Sequence, residues 1–286
     1  MTLSAASVTL GPQGPRLAAA PPLPLEALLL GKPVTEAADL LPRLFNLCRH
    51  AQGLAARLSL GLPAGDTDTA AEVIRDHVAR LCVTLRRAFD MAPLPLPADP
   101  AALLGRLPQD GAGLADWLAG PAPVAGLARR IVALFPPGAA CCPPLPRPAD
   151  PLAAGAFENS AAGRQADHPL LRQVEAAFGR GPLWRYLGLL ADLEAALARR
   201  LPPPTCRDGI ATVPAARGAY ALRLSHAGGL ITGITRRTPT DHLLAPGGAL
   251  LQSLASLPAA LHPLAPQVIA LHDPCIPVTL CEAQHA

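Results

Sequence analysis

The sequence predicts a mainly α-helical protein with a small β-sheet. Apolar residues recur at helical spacing over residues 36–60, 69–90 and 169–200. Two short runs, residues 218–226 and 229–236, flank a Gly-Gly turn and indicate a β-hairpin. Half of the 286 residues are apolar, which is enough to bury a substantial core.

The N-terminal quarter predicts an extended arm followed by helices. Residues 5–20 indicate a short strand or arm, and residues 24–31 a helix that a Gly-x-Pro sequence ends. Within the next helical stretch Thr35 is the expected N-cap. Proline breaks a helix that it interrupts, so Pro42 should end one helix and place residues 43–48 at the start of the next.

Residues 69–90 predict the clearest helix of the chain. Thr69 and Glu72 have the spacing of a capping box at its N-terminus. The apolar face of this helix comprises Ile74, Val78, Leu81, Leu85 and Phe89.

Proline and alanine dominate the middle of the chain. We expect residues 92–165 to form an irregular insertion within a single domain that spans residues 1–286. Short helices should interrupt the insertion at residues 112–119 and 122–135. The adjacent Cys141 and Cys142 fall in a proline-rich loop and are too close for ordinary paired metal ligation.

The C-terminal part should again be helical apart from the hairpin. Glycines at 179–181 separate two helices within residues 169–200, and helical stretches at 248–257 and 263–272 lead into an Asp-Pro-Cys sequence.

Composition excludes several classes of protein. The net charge is only +3, and 24 basic side chains include a single lysine, Lys32, so the arginine bias does not indicate a nucleic-acid surface. The N-terminus lacks the pattern of a signal peptide, and no apolar run is long enough to span a membrane. We therefore expect a cytoplasmic protein whose seven cysteines are reduced thiols or metal ligands.

Two cysteine segments lie at opposite ends of the chain. RLFNLC (residues 43–48) resembles the R-x-C-G-x-C segment of nickel-iron hydrogenase large subunits, and DPCIPV (residues 273–278) resembles their D-P-C-x-x-C segment. Each has lost one cysteine, since Phe45 and Val278 stand at those positions. Cys281 occupies the place of the terminal histidine.

Three further segments resemble the same family, in the same order. IRDHV at residues 74–78 places Asp76 where those enzymes have a carboxylate above the metal. AARGA at residues 215–219 retains the arginine of their A-P-R-G segment as Arg217. Thr240 corresponds to a hydroxyl that contacts a cyanide ligand.

The resemblance implies a shortened large-subunit-like fold without hydrogenase activity. Four thiolates bind the bimetallic centre of those enzymes, whereas this chain offers Cys48, Cys275 and, at most, Cys281. No nickel is expected. The implied cargo is an Fe(CN)2CO fragment, held transiently, with Arg217, Thr240 and Asp76 around its diatomic ligands. Because Cys275 is the upstream member of its pair, either the iron lies closer to Cys275 or Cys281 serves as a ligand.

The chain therefore resembles the accessory proteins of the HupK and HoxV kind, which are non-enzymatic scaffolds in hydrogenase maturation. The resemblance implies maturation proteins of the HypC and HypD type and the hydrogenase large subunit as partners. Two alternatives stay open: a degenerate subunit with residual redox activity, and a metal-free chaperone for the large subunit. Without the resemblance, Cys48 would be an ordinary core side chain, and Asp76 and Arg217 would be surface charges.

Overall fold

Helices form most of the regular structure of this protein, as the sequence predicts. The computed structural model describes residues 5–21, 23–45 and 47–281. The α-helices are α1 (Leu25–Leu29), α2 (Val34–Leu40), α3 (Arg49–Ser59), α4 (Thr69–Ala79), α5 (Leu85–Ala88), α6 (Leu114–Ala119), α7 (Ala125–Leu134), α8 (Ala161–Arg164), α9 (Pro169–Phe178), α10 (Pro182–Leu197), α11 (Pro239–Leu243), α12 (Ala249–Ala255) and α13 (Ala265–His272). None of the described helices combines the length and the apolar character needed to cross a bilayer.

The described residues form two small β-sheets, where the sequence predicts one. The strands are β1 (Ala6–Gly11), β2 (Gly14–Ala18), β3 (Thr205–Arg207), β4 (Ile210–Ala215), β5 (Gly218–Ala227), β6 (Leu230–Arg237) and β7 (Val278–Cys281). The larger sheet is antiparallel in the order β3-β4-β5-β6, and contains the predicted hairpin. The smaller has the order β2-β1-β7.

Strand β7 joins the two ends of the chain. It pairs in parallel with β1, with Ala6 opposite Val278 and Thr9 opposite Cys281. The Asp-Pro-Cys segment lies between α13 and this strand, so both of its flanks belong to regular structure. The pairing therefore limits where Cys275 can lie.

The centre of the fold is α10, in which 14 of the 16 residues are buried. A helix that is apolar on nearly all sides belongs in a protein core. Helices α4, α7, α8, α9 and α13 pack around it. A second cluster of buried residues lies between α1, α2, α3 and the larger sheet, and includes Cys48.

Helix boundaries correct two local predictions. Helix α2 begins at Val34, after Pro33, so Thr35 is not its N-cap. Pro42 does end the preceding helix, but the next one begins only at Arg49, after a 3₁₀ turn at Leu41–Arg43. Residues 43–48 therefore do not start this helix: Arg43 ends the 3₁₀ turn, Cys48 is the N-cap of α3, and Asn46 lies outside the described residues.

The predicted capping box at Thr69 and Glu72 is also wrong. Asp68 is the N-cap of α4, and its carboxylate accepts a hydrogen bond from the Ala71 amide. The helix itself is confirmed, and continues through a π-helical turn at Arg80–Thr84 into α5. The Glu72 carboxylate contacts α3 instead of its own helix.

A buried ionic network connects three helices. The Asp192 carboxylate on α10 lies 2.8 Å from His77 Nε2 on α4 and accepts two hydrogen bonds, of 2.8 and 2.6 Å, from Arg164 on α8. Gln165 donates a further bond of 2.8 Å. Burial alone would raise the pKa of Asp192, but the Arg164 guanidinium and the hydrogen bonds from Arg164 and His77 hold the pKa below its usual value. The carboxylate is therefore charged and fully partnered.

Neutralising this carboxylate should destabilise the fold. Asp192→Asn leaves the buried Arg164 guanidinium without its counter-charge, and breaking a buried ion pair costs about 3 kcal/mol or more. We expect urea denaturation to report a loss of that size in the free energy of unfolding. Asp39→Asn is the control, since Asp39 pairs with Arg57 on the surface and should cost about 1 kcal/mol or less. Equal losses in both variants would contradict this role for the network.

Candidate metal centre

The side chain of Arg217 links three of the segments that the sequence singles out. Arg217 lies in the turn between β4 and β5 and is mostly buried. Its Nη1 atom donates to Asp76 Oδ2 at 3.1 Å, and its Nε atom lies 2.9 Å from Asp273 Oδ2. The same Nε atom donates to the Asp273 carbonyl oxygen at 3.2 Å. The predicted proximity of Arg217 and Asp76 is thus present in the structure.

A second arginine extends this ionic contact. Arg80 Nε lies 3.2 Å from Asp273 Oδ2, and its Nη2 atom donates to the Ala270 and Leu271 carbonyl oxygens at 3.2 Å each. The contacts therefore form a chain of alternating charge whose sum is zero, in the order Arg80, Asp273, Arg217 and Asp76. Burial alone would lower the pKa of Arg217, but the surrounding acidic groups, Asp273 foremost, raise it, so the guanidinium remains protonated.

Cys48 occupies an unusual backbone conformation beside this guanidinium. It is the N-cap of α3, with a left-handed φ of 53°, and its Sγ atom lies 4.0 Å from Arg217 Nη1. Such a conformation costs free energy in a residue other than glycine and must be held by its surroundings. Glu72 contributes, since its buried carboxylate accepts hydrogen bonds of 2.8 and 3.1 Å from the His50 and Ala51 amides in the first turn of α3.

Cys275 reaches the same region from the other end of the chain. Asp273, which ends α13 with a left-handed φ of 50°, turns the chain toward Cys275. The Cys275 amide then donates to Thr240 Oγ1 at 2.8 Å. Thr240 is buried in the first turn of α11, where Thr238 is the N-cap and pairs reciprocally with Asp241. Thr240 is thus not a cap, and its hydroxyl faces the Cys275 segment.

Both thiols are protonated at neutral pH in the absence of a metal. The pKa of Cys48 is raised to about 12, chiefly by burial; Cys275 also raises it, and the Arg217 guanidinium lowers it. Burial also raises the pKa of Cys275, whereas Arg217 and the hydrogen bond with Thr240 lower it. Arg217 therefore favours the thiolate form of both cysteines, and a metal that binds them would have to displace their protons.

A small cavity adjoins this cluster. Its volume is about 20 Å³, which suits a single water molecule. Arg217, Thr240 and Asp273 line one side, and Glu158 and Arg185 contribute to the rest. A larger ligand would therefore need side chains to move.

The structure does not bring Cys281 to the other two cysteines. It is exposed in β7, opposite Thr9. Within residues 5–21, 23–45 and 47–281, no three His, Cys, Asp or Glu side chains are arranged to hold a metal ion. Phe45 and Val278, at the positions of the two absent cysteines, have no side-chain atom that can bind a metal. The Phe45 ring packs against the Arg236 guanidinium, and Val278 pairs with β1.

Sequence reasoning missed three residues that shape this site: Asp273, Arg80 and Glu72. Asp273 was visible as the first residue of the Asp-Pro-Cys segment, and Arg80 follows Asp76 by four positions in the helical pattern. Glu72 had a competing interpretation as a capping residue of its own helix. In the structure it instead stabilises the start of a neighbouring helix.

Comparison with known proteins identifies the family. No family model matches the chain. The hydrogenase expression/formation protein HupK of Rhodobacter capsulatus is 48% identical over 302 residues, which cover 99% of each chain.

Solved structures with a similar fold are hydrogenases. The nickel-iron-selenium hydrogenase of Desulfovibrio vulgaris Hildenborough aligns with a TM-score of 0.58 and 13% identity, covering 92% of this chain and 93% of that one. An NAD⁺-reducing nickel-iron hydrogenase aligns with a TM-score of 0.54 and 15% identity, covering 92% of each. At these identities the likeness shows the fold alone, which is that of the nickel-iron hydrogenase large subunit. The chain, with the relative described above, belongs to the HupK family of hydrogenase expression/formation proteins.

Proposed function

We propose that this protein is a non-enzymatic scaffold that transiently holds an Fe(CN)2CO fragment during assembly of the nickel-iron hydrogenase large subunit. Its membership of a hydrogenase formation family supports a maturation role. The observation that carries the finer proposal is the position of Arg217, which contacts Cys48 and Asp273 and lowers the pKa of both Cys48 and Cys275.

The groups around Arg217 suit this cargo chemically. Thiolates are the expected protein ligands for soft, low-spin iron. Cyanide nitrogens are acceptors, to which a guanidinium gives charge-assisted hydrogen bonds. The Arg217 Nε and Nη1 atoms contact Asp273 and Asp76, and these contacts hold the guanidinium beside Cys48, whose Sγ atom lies 4.0 Å from Nη1. The Thr240 hydroxyl accepts from the Cys275 amide, and its own hydrogen, which favours the Cys275 thiolate, would be donated to a cyanide nitrogen once the cargo is bound.

The same features favour iron over nickel and temporary over permanent binding. The proposed site has two thiols, Cys48 and Cys275, both of which interact with the charge of Arg217, whereas the nickel ion of the enzymes that the sequence resembles is held by four. Burial makes each thiol costly to ionise, and this cost lowers the affinity of the site for any metal. A scaffold has to release its cargo, so such weakening suits its role.

The proposal includes the setting and the partners of the protein. We propose that it acts in the cytoplasm, where its seven cysteines, all free thiols in the structure, would remain reduced. Maturation proteins of the HypC and HypD type would deliver the fragment, and the hydrogenase large subunit would receive it.

The two cysteines provide the direct test of this function. Cys48→Ser and Cys275→Ser should each abolish hydrogenase maturation in a strain that lacks the native gene, because serine is a poor ligand for soft iron. Hydrogen-dependent dye reduction in cell extracts measures maturation. Cys281→Ser should retain activity, since the structure keeps this residue away from the pair.

Two other cysteines are matched controls. Cys82 is fully buried in the core and Cys206 is exposed, and neither adjoins Arg217. Cys82→Ser reproduces the cost of a hydroxyl in a buried position, so a fall in maturation beyond its effect belongs to the site. Wild-type maturation by folded Cys48→Ser and Cys275→Ser would rule out the scaffold and leave the metal-free chaperone.

Arg217→Lys separates the charge from the shape of the guanidinium. Lysine keeps the positive charge but loses the planar fork that can contact Asp76, Asp273 and a cyanide together. Loss of one charge-assisted hydrogen bond costs about 1.5–3 kcal/mol, or roughly tenfold to a hundredfold in cargo affinity. We expect a folded protein with less iron and shifted cyanide stretching bands in the infrared.

Arg80→Lys is the control for this variant. Arg80 is equally buried and pairs with the same Asp273 carboxylate, but contacts neither thiol. Arg80→Lys should change the thermal stability about as much as Arg217→Lys does, but should change the iron content and the cyanide band positions much less. If Arg217→Lys has the spectrum and iron content of the wild type, Arg217 does not contact the cargo.

A further inference from the structure

Both polar atoms of the Asn159 side chain form hydrogen bonds with the backbone of Ala219, two residues after Arg217. Its Oδ1 atom accepts a hydrogen bond of 2.7 Å from the Ala219 amide, and its Nδ2 atom donates one of 2.9 Å to the Ala219 carbonyl oxygen. The approach is close enough that only glycine fits at position 218. Gly218 has a φ of +143°, and a Cβ atom there would lie 2.5 Å from the Asn159 carbonyl oxygen.

The same amide group also reaches the helix that carries Thr240. Asn159 Nδ2 lies 3.2 Å from His242 Nδ1, and His242 Nε2 lies 2.9 Å from the Ala153 carbonyl oxygen. A carbonyl only accepts, so Nε2 bears the hydrogen and Nδ1 is left to accept from Asn159. His242 is in α11, two residues after Thr240. Asn159 therefore joins the Arg217 turn to the Thr240 helix.

Arg164, five residues further on, holds the other side of the turn. Its Nη2 and Nη1 atoms donate to the Ala215 and Gly218 carbonyl oxygens at 3.1 Å each, while Asp192 holds the guanidinium in place. Residues 159–164 thus form a strap that contacts the backbone before and after Arg217. This strap lies in the proline- and alanine-rich part of the chain, for which the sequence suggests no role.

We propose that Asn159 is a positioning residue that sets the distance between the Arg217 guanidinium and the Thr240 hydroxyl. This inference rests on the proposed function, since these are the two groups that would donate to the cyanide ligands. Each arrives on a separate element, a β-turn and a short helix, and side-chain hydrogen bonds of Asn159 join the two. A shift of either element would misdirect one of the donors.

The test compares Asn159→Ala with Gln165→Ala. The first removes all three hydrogen bonds of the amide group. The second removes the neighbouring Gln165 amide, which donates to Asp192 and contacts neither the Arg217 turn nor α11. Asn159→Asp is a further variant that keeps the shape and the bond from the Ala219 amide but loses the two donated bonds, so it preserves a test if Asn159→Ala does not fold.

Two measurements distinguish this inference from the proposed function. In metal-free protein, the rate of amide hydrogen exchange should rise in both residues 215–221 and residues 238–244 of the Asn159 variants. It should rise in neither segment of Gln165→Ala. In protein purified without oxygen, the cyanide bands should shift, and iron occupancy should fall by about twofold to tenfold, which is the effect of a net hydrogen bond of about 0.5–1.5 kcal/mol.

Each outcome decides one of the two claims. Coupled exchange with shifted bands supports positioning of the cargo donors. If exchange rises in both segments of the Asn159 variants but the wild type has no cyanide bands, the link between the two elements stands. The proposed function is then refuted, and with it the role of Asn159 toward the cargo. Exchange that rises in one segment only, or unshifted bands in a folded Asn159 variant, overturns the inference.

Discussion

The ion pair between Arg217 and Asp273 is the interaction on which the site depends. It joins the turn between β4 and β5 to the Asp-Pro-Cys segment, so the two ends of the chain meet at one guanidinium. A buried guanidinium without a counter-charge would be costly, and here two carboxylates, Asp273 and Asp76, flank it. Because Arg80 shares Asp273, the ionic cluster is neutral and can persist in a largely buried position.

The rest of the fold places the partners of this ion pair. Pairing of β7 with β1 fixes the segment that follows Cys275, and the carboxylate of Glu72 holds the first turn of α3, where Cys48 is the N-cap. Arg164 and Asn159 hold the backbone around Arg217. Cys48 and Cys275 thus lie in a frame that has the fold of a nickel-iron hydrogenase large subunit.

Residue type and spacing predict part of this arrangement. Helices such as α4 and α10 follow from apolar periodicity, and the pairing of Arg217 with Asp76 follows from segments that resemble a known family. Strand β7 has only four residues and pairs with a strand near the other end of the chain, so no local pattern reveals it. The left-handed conformation of Cys48 and the capping of α3 by Glu72 likewise depend on contacts between distant segments. The sequence therefore names Arg217 and Asp76, but neither their partners Asp273 and Arg80 nor the strap that contacts the backbone on both sides of Arg217.

The infrared spectrum of protein purified without oxygen from its native host tests the central claim most directly. Cyanide and carbonyl stretching bands fall in a region free of protein absorption, and metal analysis of the same sample gives the iron and nickel content. The account predicts cyanide and carbonyl bands with iron and little nickel, and no bands in Cys48→Ser protein. Stoichiometric nickel, or a wild type in active maturation that has neither iron nor these bands, would contradict it.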